Sequence, residues 1–372
     1  MAKIDDDIKR IDDELKKTIY NKKTQHHIGK LKAKLAFLKM EAERRRSSHS
    51  SSGLRYAVKK SGNGTVALLG FPSVGKSTIL NKLTNAFSEI GAYDFTTITI
   101  VPGSMSYKGA NIQILDMPGI IEGASDGRGR GKAVISVART SDLILLIVDP
   151  VKSSISALIK EAESANIKLN GYKPNIVITP KTKGGGLKIV STVKLTHIDE
   201  QLIGEVVREW GIVNGEVIIR EDVTVDQLID VLSGNRVYIP AIVVVNKSDL
   251  LTEENKGRIM KEIEKYNMSY ILTSAETGHN MEYLKELMYE KLNFISIYLK
   301  PPGKEADMMN PLIIKKGTTV RMLCELIHKE FVKQFRYGQI WGKSAKFPGQ
   351  IVGFEHVLYD KDVITIHTKR TE

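Results

Sequence analysis

The stretch Gly70-Phe-Pro-Ser-Val-Gly-Lys-Ser77 decides the fold of this sequence, because a strand pattern precedes it and a helix pattern follows it. Residues 65–69 are β-branched or apolar and predict a strand, and residues 78–83 predict a helix. In a glycine-rich loop between a strand and a helix, backbone N–H groups can approach phosphate oxygens closely. The stretch therefore predicts a phosphate-binding loop, or P-loop, in an α/β domain.

The side chains of this loop fit phosphate and metal chemistry. Lys76 can neutralise the β- and γ-phosphates of a nucleotide, which also makes it a candidate catalytic residue. The Ser77 hydroxyl can coordinate Mg²⁺. The loop alone leaves ATP and GTP as alternatives. The candidate nucleotide-binding residues in this part of the chain are Gly70, Phe71, Pro72, Ser73, Val74, Gly75, Lys76, Ser77 and Thr78.

A second motif, Asn246-Lys-Ser-Asp249, favours guanine over adenine. It directly follows an apolar strand pattern, and α/β proteins bind ligands at the carboxyl ends of such strands. The Asp249 carboxylate can accept both N–H groups of a guanine edge, and adenine offers no such pair. Asn246 and the stem of Lys247 are expected to connect the base to the P-loop. Backbone N–H groups of Ser274 and Ala275, after the next strand pattern, can bind the guanine oxygen.

Further candidates for the metal site lie between these two motifs. Asp116-Met-Pro-Gly119 ends another strand pattern, and the Asp116 carboxylate can hold Mg²⁺ through water. The backbone N–H of Gly119 can sense a γ-phosphate, which makes Gly119 a candidate catalytic residue. Thr96 and Thr97 both offer a second hydroxyl for the metal. The predicted ligands are therefore Ser77, Asp116 and one of these two threonines.

Strand-like and helical patterns alternate from residue 65 onward, which predicts an α/β domain with a parallel-type sheet. The candidate strands are residues 65–69, 112–115, 143–148, 241–245 and 270–273. About ninety residues separate the third from the fourth, more than a crossover connection needs. Residues 153–166 suit the crossover helix, so residues 167–238 predict an inserted α+β subdomain. Within it, Thr224 and Gln227 have the spacing of a capped helix start.

Two further parts flank this α/β domain. Apolar positions at helical spacing, with a break near Thr24 and a serine-rich linker after them, predict a basic helical hairpin at the N-terminus. After Pro301-Pro-Gly303, strand and helix patterns predict a small α+β domain. The predicted division of the chain is a helical hairpin with linker (1–55), an α/β domain (56–166 and 239–296), an insertion (167–238) and a C-terminal domain (297–372).

Length and composition favour a globular protein of several folded units. The 372 residues exceed one ordinary core, and 42% apolar with 26% charged residues is typical of globular domains. No apolar run approaches the ~18 residues of a membrane span, and we see no secretory signal pattern. The single cysteine, Cys324, cannot form an internal disulfide and is expected in a core. These features predict a cytoplasmic protein with no membrane partner.

The net charge of +12 is concentrated at the two ends of the chain. Residues 1–60 carry 17 lysines and arginines against 8 acidic residues, and residues 296–372 carry 13 against 8. The middle carries 25 against 27, so it is nearly neutral. Basic ends around a neutral core indicate binding to a polyanion such as RNA, although solvated helix faces are the alternative explanation.

The motifs together resemble the Obg superfamily of GTPases. The similar stretches are the P-loop with Thr78, Tyr93-Asp-Phe-Thr-Thr97, Asp116-Met-Pro-Gly-Ile-Ile-Glu-Gly-Ala124 and Asn246-Lys-Ser-Asp249. Within that superfamily, the helical N-terminus, the insertion and the C-terminal domain resemble the developmentally regulated GTP-binding proteins, or DRG family. The resemblance covers nearly the whole chain.

This resemblance implies a GTP-binding and GTP-hydrolysing switch in the cytoplasm. It implies that the C-terminal domain is a TGS domain with a ubiquitin-like fold. It also implies an association with ribosomes or RNA and with translation, and a dedicated stabilising protein partner. Among the two candidate threonines it favours Thr97, which lies twenty residues after Ser77 as in Obg-type GTPases.

The residue after Asp116-Met-Pro-Gly119 bears on the rate of hydrolysis. Ras-like enzymes orient the attacking water with a glutamine there, whereas this sequence has Ile120. Unaided turnover is therefore expected to be slow, on the order of 10⁻³ s⁻¹ or less. Arg128 or Arg130 could supply an arginine in cis. Relatives that use K⁺ often carry an asparagine where this chain has Ser73, and a serine hydroxyl is a poorer fit for this ion. The family resemblance nevertheless keeps K⁺ stimulation open as an alternative.

Two other functions remain as alternatives. The first is a nucleotide-bound scaffold with negligible turnover, which Ile120 favours. The second is a GTPase attached to RNA modification, and the lack of a second catalytic cysteine or metal cluster argues against it. His26-His27 is interpreted as an exposed pair without metal-binding partners.

Overall fold

The computed structural model describes residues 2–19, 21, 24–48, 60–84, 93–95, 98–117, 137–151 and 154–369. The chain divides into two compact units, one of Met1–Arg55 with Asn166–Tyr238 and one of Tyr56–Ala165 with Ile239–Glu372. The N-terminal helices and the insertion, which the sequence suggests as separate parts, therefore belong to one unit.

The helices of the described residues are α1 (Ala2–Lys17), α2 (Gln25–Ser48), α3 (Lys76–Leu83), α4 (Ile155–Ser164), α5 (Glu200–Glu209), α6 (Val225–Ser233), α7 (Glu253–Tyr266), α8 (Met281–Lys291), α9 (Val320–Ile327) and α10 (Lys329–Gln334). The strands are β1 (Gly64–Leu69), β2 (Tyr93–Phe95), β3 (Ile98–Tyr107), β4 (Ala110–Asp116), β5 (Leu143–Val148), β6 (Ile167–Leu169), β7 (Ile176–Pro180), β8 (Leu187–Ser191), β9 (Gly215–Ile219), β10 (Val237–Ile239), β11 (Ala241–Val245), β12 (Tyr270–Leu272), β13 (Phe294–Leu299), β14 (Leu312–Lys315), β15 (Phe335–Trp341), β16 (Gln350–Val352) and β17 (Val363–Thr368).

A seven-stranded sheet in the order β12-β11-β5-β1-β4-β3-β2 forms the centre of the larger unit. The five strands from β12 to β4 are mutually parallel, and β3 and β2 extend the sheet antiparallel. Every residue of β1, β5 and β11 is buried, as expected for parallel strands with both faces covered. This confirms the α/β prediction, and it places the carboxyl ends of β1, β4, β5 and β11 along one edge.

The C-terminal part of the same unit has a second sheet in the order β14-β13-β17-β15-β16. Its first strand, β13, precedes Pro301-Pro-Gly303, and the predicted boundary between residues 296 and 297 falls within this strand. Because β13 pairs with both β14 and β17, the whole strand belongs to this sheet. Cys324 on α9 is fully buried in the core under this sheet, which confirms its predicted place.

The smaller unit combines the helical hairpin of α1 and α2 with the inserted segment. Ala33 of α2 is fully buried in the same core as Leu202 of α5 and Leu228 of α6. Helix α6 begins with the predicted capping box, since Thr224 Oγ1 accepts from Gln227 N at 3.3 Å and Gln227 Oε1 accepts from Thr224 N at 2.9 Å.

The pair His26-His27 has carboxylate partners, contrary to the expectation from the sequence. His26 Nε2 lies 2.7 Å from Asp199 Oδ2, and His27 Nε2 lies 3.0 Å from Glu14 Oε1. Asp199 lies 173 positions from His26 in the sequence, and Glu14 lies on the other helix of the hairpin, so both contacts form only in the folded unit. The described residues hold no cluster of three or more histidine, cysteine or acidic side chains that could bind a metal ion.

Candidate functional site

The P-loop connects the carboxyl end of β1 to the start of α3, as its sequence context predicts. Two of its glycines are required by close approaches. A Cβ at Gly70 would lie 2.5 Å from the backbone oxygen of Ile147, and a Cβ at Gly75 would lie 2.3 Å from Asn246 Nδ2. Gly75 also has a φ of 91°, in the left-handed region that favours glycine. The loop is therefore packed against β5 and against the residue that follows β11.

Lys76 lies at the start of α3 and is folded back over the loop. Its Nζ donates to the carbonyl oxygens of Gly70, at 3.1 Å, and Phe71, at 2.9 Å. Burial lowers the pKa of Lys76, while the nearby Asp116 carboxylate opposes this effect. A buried ammonium group held by two carbonyls still lacks a full counter-charge, which a nucleotide phosphate would supply.

Ser77 and Asp116 meet beside this lysine. Ser77 Oγ donates to Asp116 Oδ2 at 2.5 Å, because Asp116 ends β4 next to β1, where Leu68 is its register partner. Burial raises the pKa of Asp116, and the Ser77 hydroxyl and the Lys76 charge lower it in part. A hydroxyl and a carboxylate oxygen in contact form a hard-oxygen pair of the kind that Mg²⁺ prefers, so these two residues fit the predicted metal.

Asn246 connects the P-loop to the loop after β12. Its Nδ2 donates to Val74 O at 3.0 Å, and its Oδ1 accepts from Ala275 N at 3.0 Å. Only 2% of Asn246 is exposed, so both bonds are shielded from water. Asn246 thus positions two loops that the sequence assigns to different parts of a nucleotide.

Lys247 and Asp249 lie on the open side of the same motif. Lys247 has a left-handed backbone, with φ 58°, and its Nζ donates to Ser73 O at 3.0 Å. Its side chain therefore lies against the P-loop, as predicted. Asp249 is exposed in a short 3₁₀ turn, Ser248–Leu250, and is accessible to a ligand.

The backbone donors predicted for the guanine oxygen are engaged within the protein. Ser274 N donates to His279 O at 3.3 Å, and Ala275 N donates to Asn246 Oδ1. A bond from Ala275 to a base would have to be shared with Asn246. Both residues therefore lie at the site, but their N–H groups form hydrogen bonds that stabilise the loop after β12.

Asp149 is a residue of this site that the sequence motifs do not include. It directly follows β5 and accepts from Lys247 Nζ at 2.8 Å and from Val151 N at 2.8 Å. Its position after a buried strand, at the same edge as the two motifs, is the signal that could have revealed it. Thr96, Thr97, Gly119, Ile120, Arg128 and Arg130 lie outside the described residues.

Family models match nearly the whole chain beyond the N-terminal helices. A model described as "50S ribosome-binding GTPase" matches residues 65–181, one for the C-terminal region of the same domain matches residues 184–294, and one for the TGS domain matches residues 295–368. Fold, site and these matches define a P-loop GTPase with a C-terminal TGS domain, which confirms both predictions.

Full-length relatives identify the family. An uncharacterized GTP-binding protein of Methanocaldococcus jannaschii is 55% identical over 99% of this chain and 93% of its own length. Developmentally-regulated GTP-binding protein 2 of Homo sapiens is 44% identical over 97% of this chain and 98% of its own length. Developmentally-regulated G-protein 3 of Arabidopsis thaliana is 44% identical over 99% of this chain and all of its own. The chain belongs to the developmentally regulated GTP-binding protein family.

Family membership supports GTP binding and GTPase activity as the general function. The relatives are named as GTP-binding proteins, and the first matched domain is a GTPase domain. Among the described residues, no helix combines the length and apolar character that a membrane crossing requires.

Proposed function

We propose that this protein is a slow GTPase switch in which GTP and GDP bind between the P-loop and the Asn246-Lys-Ser-Asp249 turn. The observation that carries the proposal is the pair of hydrogen bonds that the Asn246 side chain makes. They connect Val74 of the P-loop to Ala275, which lies beside the proposed position of the base. A nucleotide held by both loops would stabilise this arrangement. Asp249 selects guanine, and the Lys247 stem covers the base from the P-loop side.

The phosphate end of the proposed site combines one buried cation with an oxygen pair. Lys76 would bind the β- and γ-phosphates, and Ser77, Asp116 and Thr97 are the residues that would hold Mg²⁺. When bound, Mg²⁺ supplies positive charge to the phosphate oxygens. Thr97 and Gly119 contribute a hydroxyl and a backbone N–H to the γ-phosphate, so that loss of this phosphate on hydrolysis releases both segments.

The slow rate follows from Ile120, which has no group that could orient the attacking water. Hydrolysis would then depend on K⁺, on Arg128 or Arg130, or on a partner. Multiple-turnover rates in KCl and NaCl at equal ionic strength distinguish these sources, because only a K⁺ mechanism predicts a difference between the salts. Equal rates in both salts would direct attention to Arg128→Ala and Arg130→Ala.

We further propose that the switch acts on ribosomes or RNA in the cytoplasm, with a stabilising protein as a second partner. The basic ends of the chain and the description of the matched GTPase family support this cellular role. Ribosome pelleting with a non-hydrolysable GTP analogue or with GDP tests it. The switch predicts tighter pelleting in the GTP-like state, and equal pelleting in both states would contradict it.

A stable nucleotide-bound scaffold is the second candidate, and Ile120 is the residue that favours it. Single-turnover hydrolysis with and without ribosomes separates the two functions. A switch predicts stimulation by ribosomes, whereas a scaffold predicts negligible hydrolysis in both reactions.

Charge substitutions test the N-terminal RNA contact better than deletion does, because Ala33 of α2 belongs to the core of the insertion. Lys17, Lys34 and Lys39 are exposed on α1 and α2, and changing them to glutamine should reduce the salt dependence of RNA binding by about 0.7–0.9 in log–log slope per lost phosphate contact. The matched control changes three exposed lysines of the GTPase helices to glutamine, namely Lys160, Lys256 and Lys261. If the salt dependence of RNA binding is the same in both triple variants, the proposed N-terminal contact with RNA is wrong.

A further inference from the structure

The C-terminal sheet carries an open cavity of about 440 Å³ whose lining includes no residue of the nucleotide motifs. Its floor is formed by alternate residues of two paired strands. Gln339 and Trp341 lie two positions apart on β15, and Thr365 and His367 lie two positions apart on β17. Gln339 is the register partner of Thr365, so all four residues occupy one face of the sheet.

The opposite face of the same strands is apolar and packs in the domain core. Ile340 and Ile364, which alternate with the cavity residues, are 0% and 1% exposed. On the cavity face Gln339, Trp341 and His367 are partly exposed, whereas Thr365 is 3% exposed. None of these four residues belongs to the apolar core of the domain. We refer to this face, with the segment after β13 that borders it, as the C-terminal cavity.

Two lysines border the cavity from the segment that follows β13. Lys300 Nζ lies 4.6 Å from the centroid of the Trp341 ring, which places a cation over the aromatic face. Lys304 lies further along the same segment and also lines the cavity. A cation beside an accessible aromatic ring is the combination that binds a nucleotide, with phosphate on the lysines and base on the ring.

His367 supplies an independent observation that points to a polar ligand. Its ring stacks on Tyr337, with ring centroids 4.5 Å apart. Its Nε2 atom is buried and has no hydrogen-bond partner among the described residues. Leaving a buried ring nitrogen unpaired is unfavourable, so a polar group entering from the cavity would satisfy it.

We propose that the C-terminal cavity binds one unpaired nucleotide of an RNA strand. Lys300 and Lys304 bind its phosphates, the base takes the place of Lys300 over Trp341, and the base edge bonds to His367 and to the amide oxygen of Gln339. The amide nitrogen of Gln339 donates to Gly349 O at 3.3 Å. An unpaired nucleotide is required, because the ring faces and edges of paired bases are not accessible to a pocket. RNA rather than a free nucleotide is favoured by the excess of 13 basic over 8 acidic residues in this part of the chain. The inference rests on the proposed RNA association and assigns it a site.

Trp341 provides a direct probe of this site, because the chain has two tryptophans. In the full-length Trp210→Phe variant, Trp341 is the remaining fluorophore. Titration with an eight-residue oligouridylate should quench its fluorescence saturably. Uridine monophosphate should need at least about tenfold higher concentration, since it makes fewer phosphate contacts, and inorganic phosphate should have no effect. Uridine compounds avoid binding at the guanine site.

The other outcomes of this titration overturn the proposal. Quenching by uridine monophosphate at the same concentration as the oligonucleotide would indicate a free nucleotide as the ligand. Quenching by phosphate alone would indicate a simple anion site. No quenching by any of the three would mean that the cavity binds none of them.

Variants with the natural tryptophans give a second test that does not depend on Trp210→Phe. Lys300→Gln, Lys304→Gln and His367→Phe should each weaken oligouridylate binding by about five- to tenfold in a filter assay. Phenylalanine retains an aromatic ring to stack on Tyr337 and has no nitrogen atom that could form a hydrogen bond. The matched control is Lys333→Gln, which removes an exposed lysine of α10 that does not line the cavity and should change binding less than twofold.

The two proposals fail in different ways. If the cavity variants bind the oligonucleotide as the unchanged protein does, the cavity is wrong and the RNA association stands. If the unchanged protein binds neither oligonucleotide nor ribosomes, both proposals are wrong.

Discussion

The two sheets of the larger unit place their chemistry in different positions. The seven-stranded sheet buries all of β1, β5 and β11, so polar side chains collect where strands end, at Asp116, Asp149 and Asn246. The C-terminal sheet buries one face in the core and leaves polar residues on the other. A sheet covered on both faces can bind a ligand at the ends of its strands, whereas a sheet covered on a single face can bind a ligand on the other face.

The largest effect is expected where one residue holds the edge site together. Asn246→Ala removes the bonds to Val74 O and from Ala275 N, and it leaves buried backbone groups unpaired. The loss should be about 3–5 kcal/mol in nucleotide affinity, for GTP and GDP alike, because both loops are affected. Isothermal titration with each nucleotide measures it.

The matched control for this change is Asn255→Ala on α7, an asparagine in the same unit outside the two motifs. Nucleotide affinity in Asn246→Ala within twofold of that in the control would contradict the coupling of the two loops.

Base selection is the next largest expected effect. Asp249→Asn should reduce GTP affinity by about 2–4 kcal/mol, since a charged pair of hydrogen bonds is lost. Xanthosine triphosphate should bind the variant better than GTP does, because an amide can donate to the additional carbonyl. Competition binding with both nucleotides measures the preference, and unchanged selectivity for GTP would remove Asp249 from the base site.

A smaller effect is expected at the metal pair. Ser77→Ala removes the hydroxyl that contacts Asp116, and Mg²⁺-dependent GTP affinity should fall by about 1–2 kcal/mol more than GDP affinity. Ser164→Ala is the matched control, because it removes an exposed hydroxyl at the end of α4, outside both nucleotide motifs. If the two nucleotides lose the same affinity, Ser77 is not a ligand of a metal that the γ-phosphate shares.

Short-range sequence signals predicted the larger part of the fold and suggested the residues of the proposed guanine site. The strands β5 and β11 have the predicted bounds, because continuous apolar runs flanked by polar motifs define buried strands clearly. The capping box at Thr224 depends on two residues three positions apart and is equally local. Where spacing carries the information, the sequence is sufficient.

Features that depend on pairing across the chain were not predictable in the same way. The predicted boundary between residues 296 and 297 falls within β13, because the place of this strand in the C-terminal sheet depends on its pairing with β17, far along the sequence. Asp149 was missed because its role comes from Lys247, which reaches it only after β5 and β11 pair. The partners of His26 and the orphaned nitrogen of His367 likewise arise from tertiary contacts.

The smallest effect is expected at the amino ends of the strands of the seven-stranded sheet, where Asp142 contacts the C-terminal sheet. Asp142 directly precedes β5. Its Oδ2 accepts from Thr65 N at 2.9 Å, and its Oδ1 contacts the ammonium groups of Lys60, at 3.2 Å, and Lys315 of β14. Burial alone would raise the pKa of Asp142, but the hydrogen bond from Lys315 and that from Thr65 outweigh it and hold this pKa below its ordinary value.

Asp142→Asn should therefore lower the free energy of unfolding by about 1 kcal/mol at pH 7, since it removes partly exposed ion pairs and retains the bond from Thr65. A carboxyl group with a lowered pKa in the folded state stabilises the fold above its unfolded pKa, near 3.8, and loses that contribution as the pH falls through the folded value. The difference between the two proteins in urea unfolding should thus be full at pH 6 and shrink below about pH 4. GTP affinity at pH 7 should stay within twofold, because Asp142 lies at the amino end of β5 and the nucleotide residues lie past the carboxyl ends of the strands. A large loss of GTP affinity would show that the amino and carboxyl ends of the strands are energetically coupled. The contact between the two sheets would then take part in nucleotide binding.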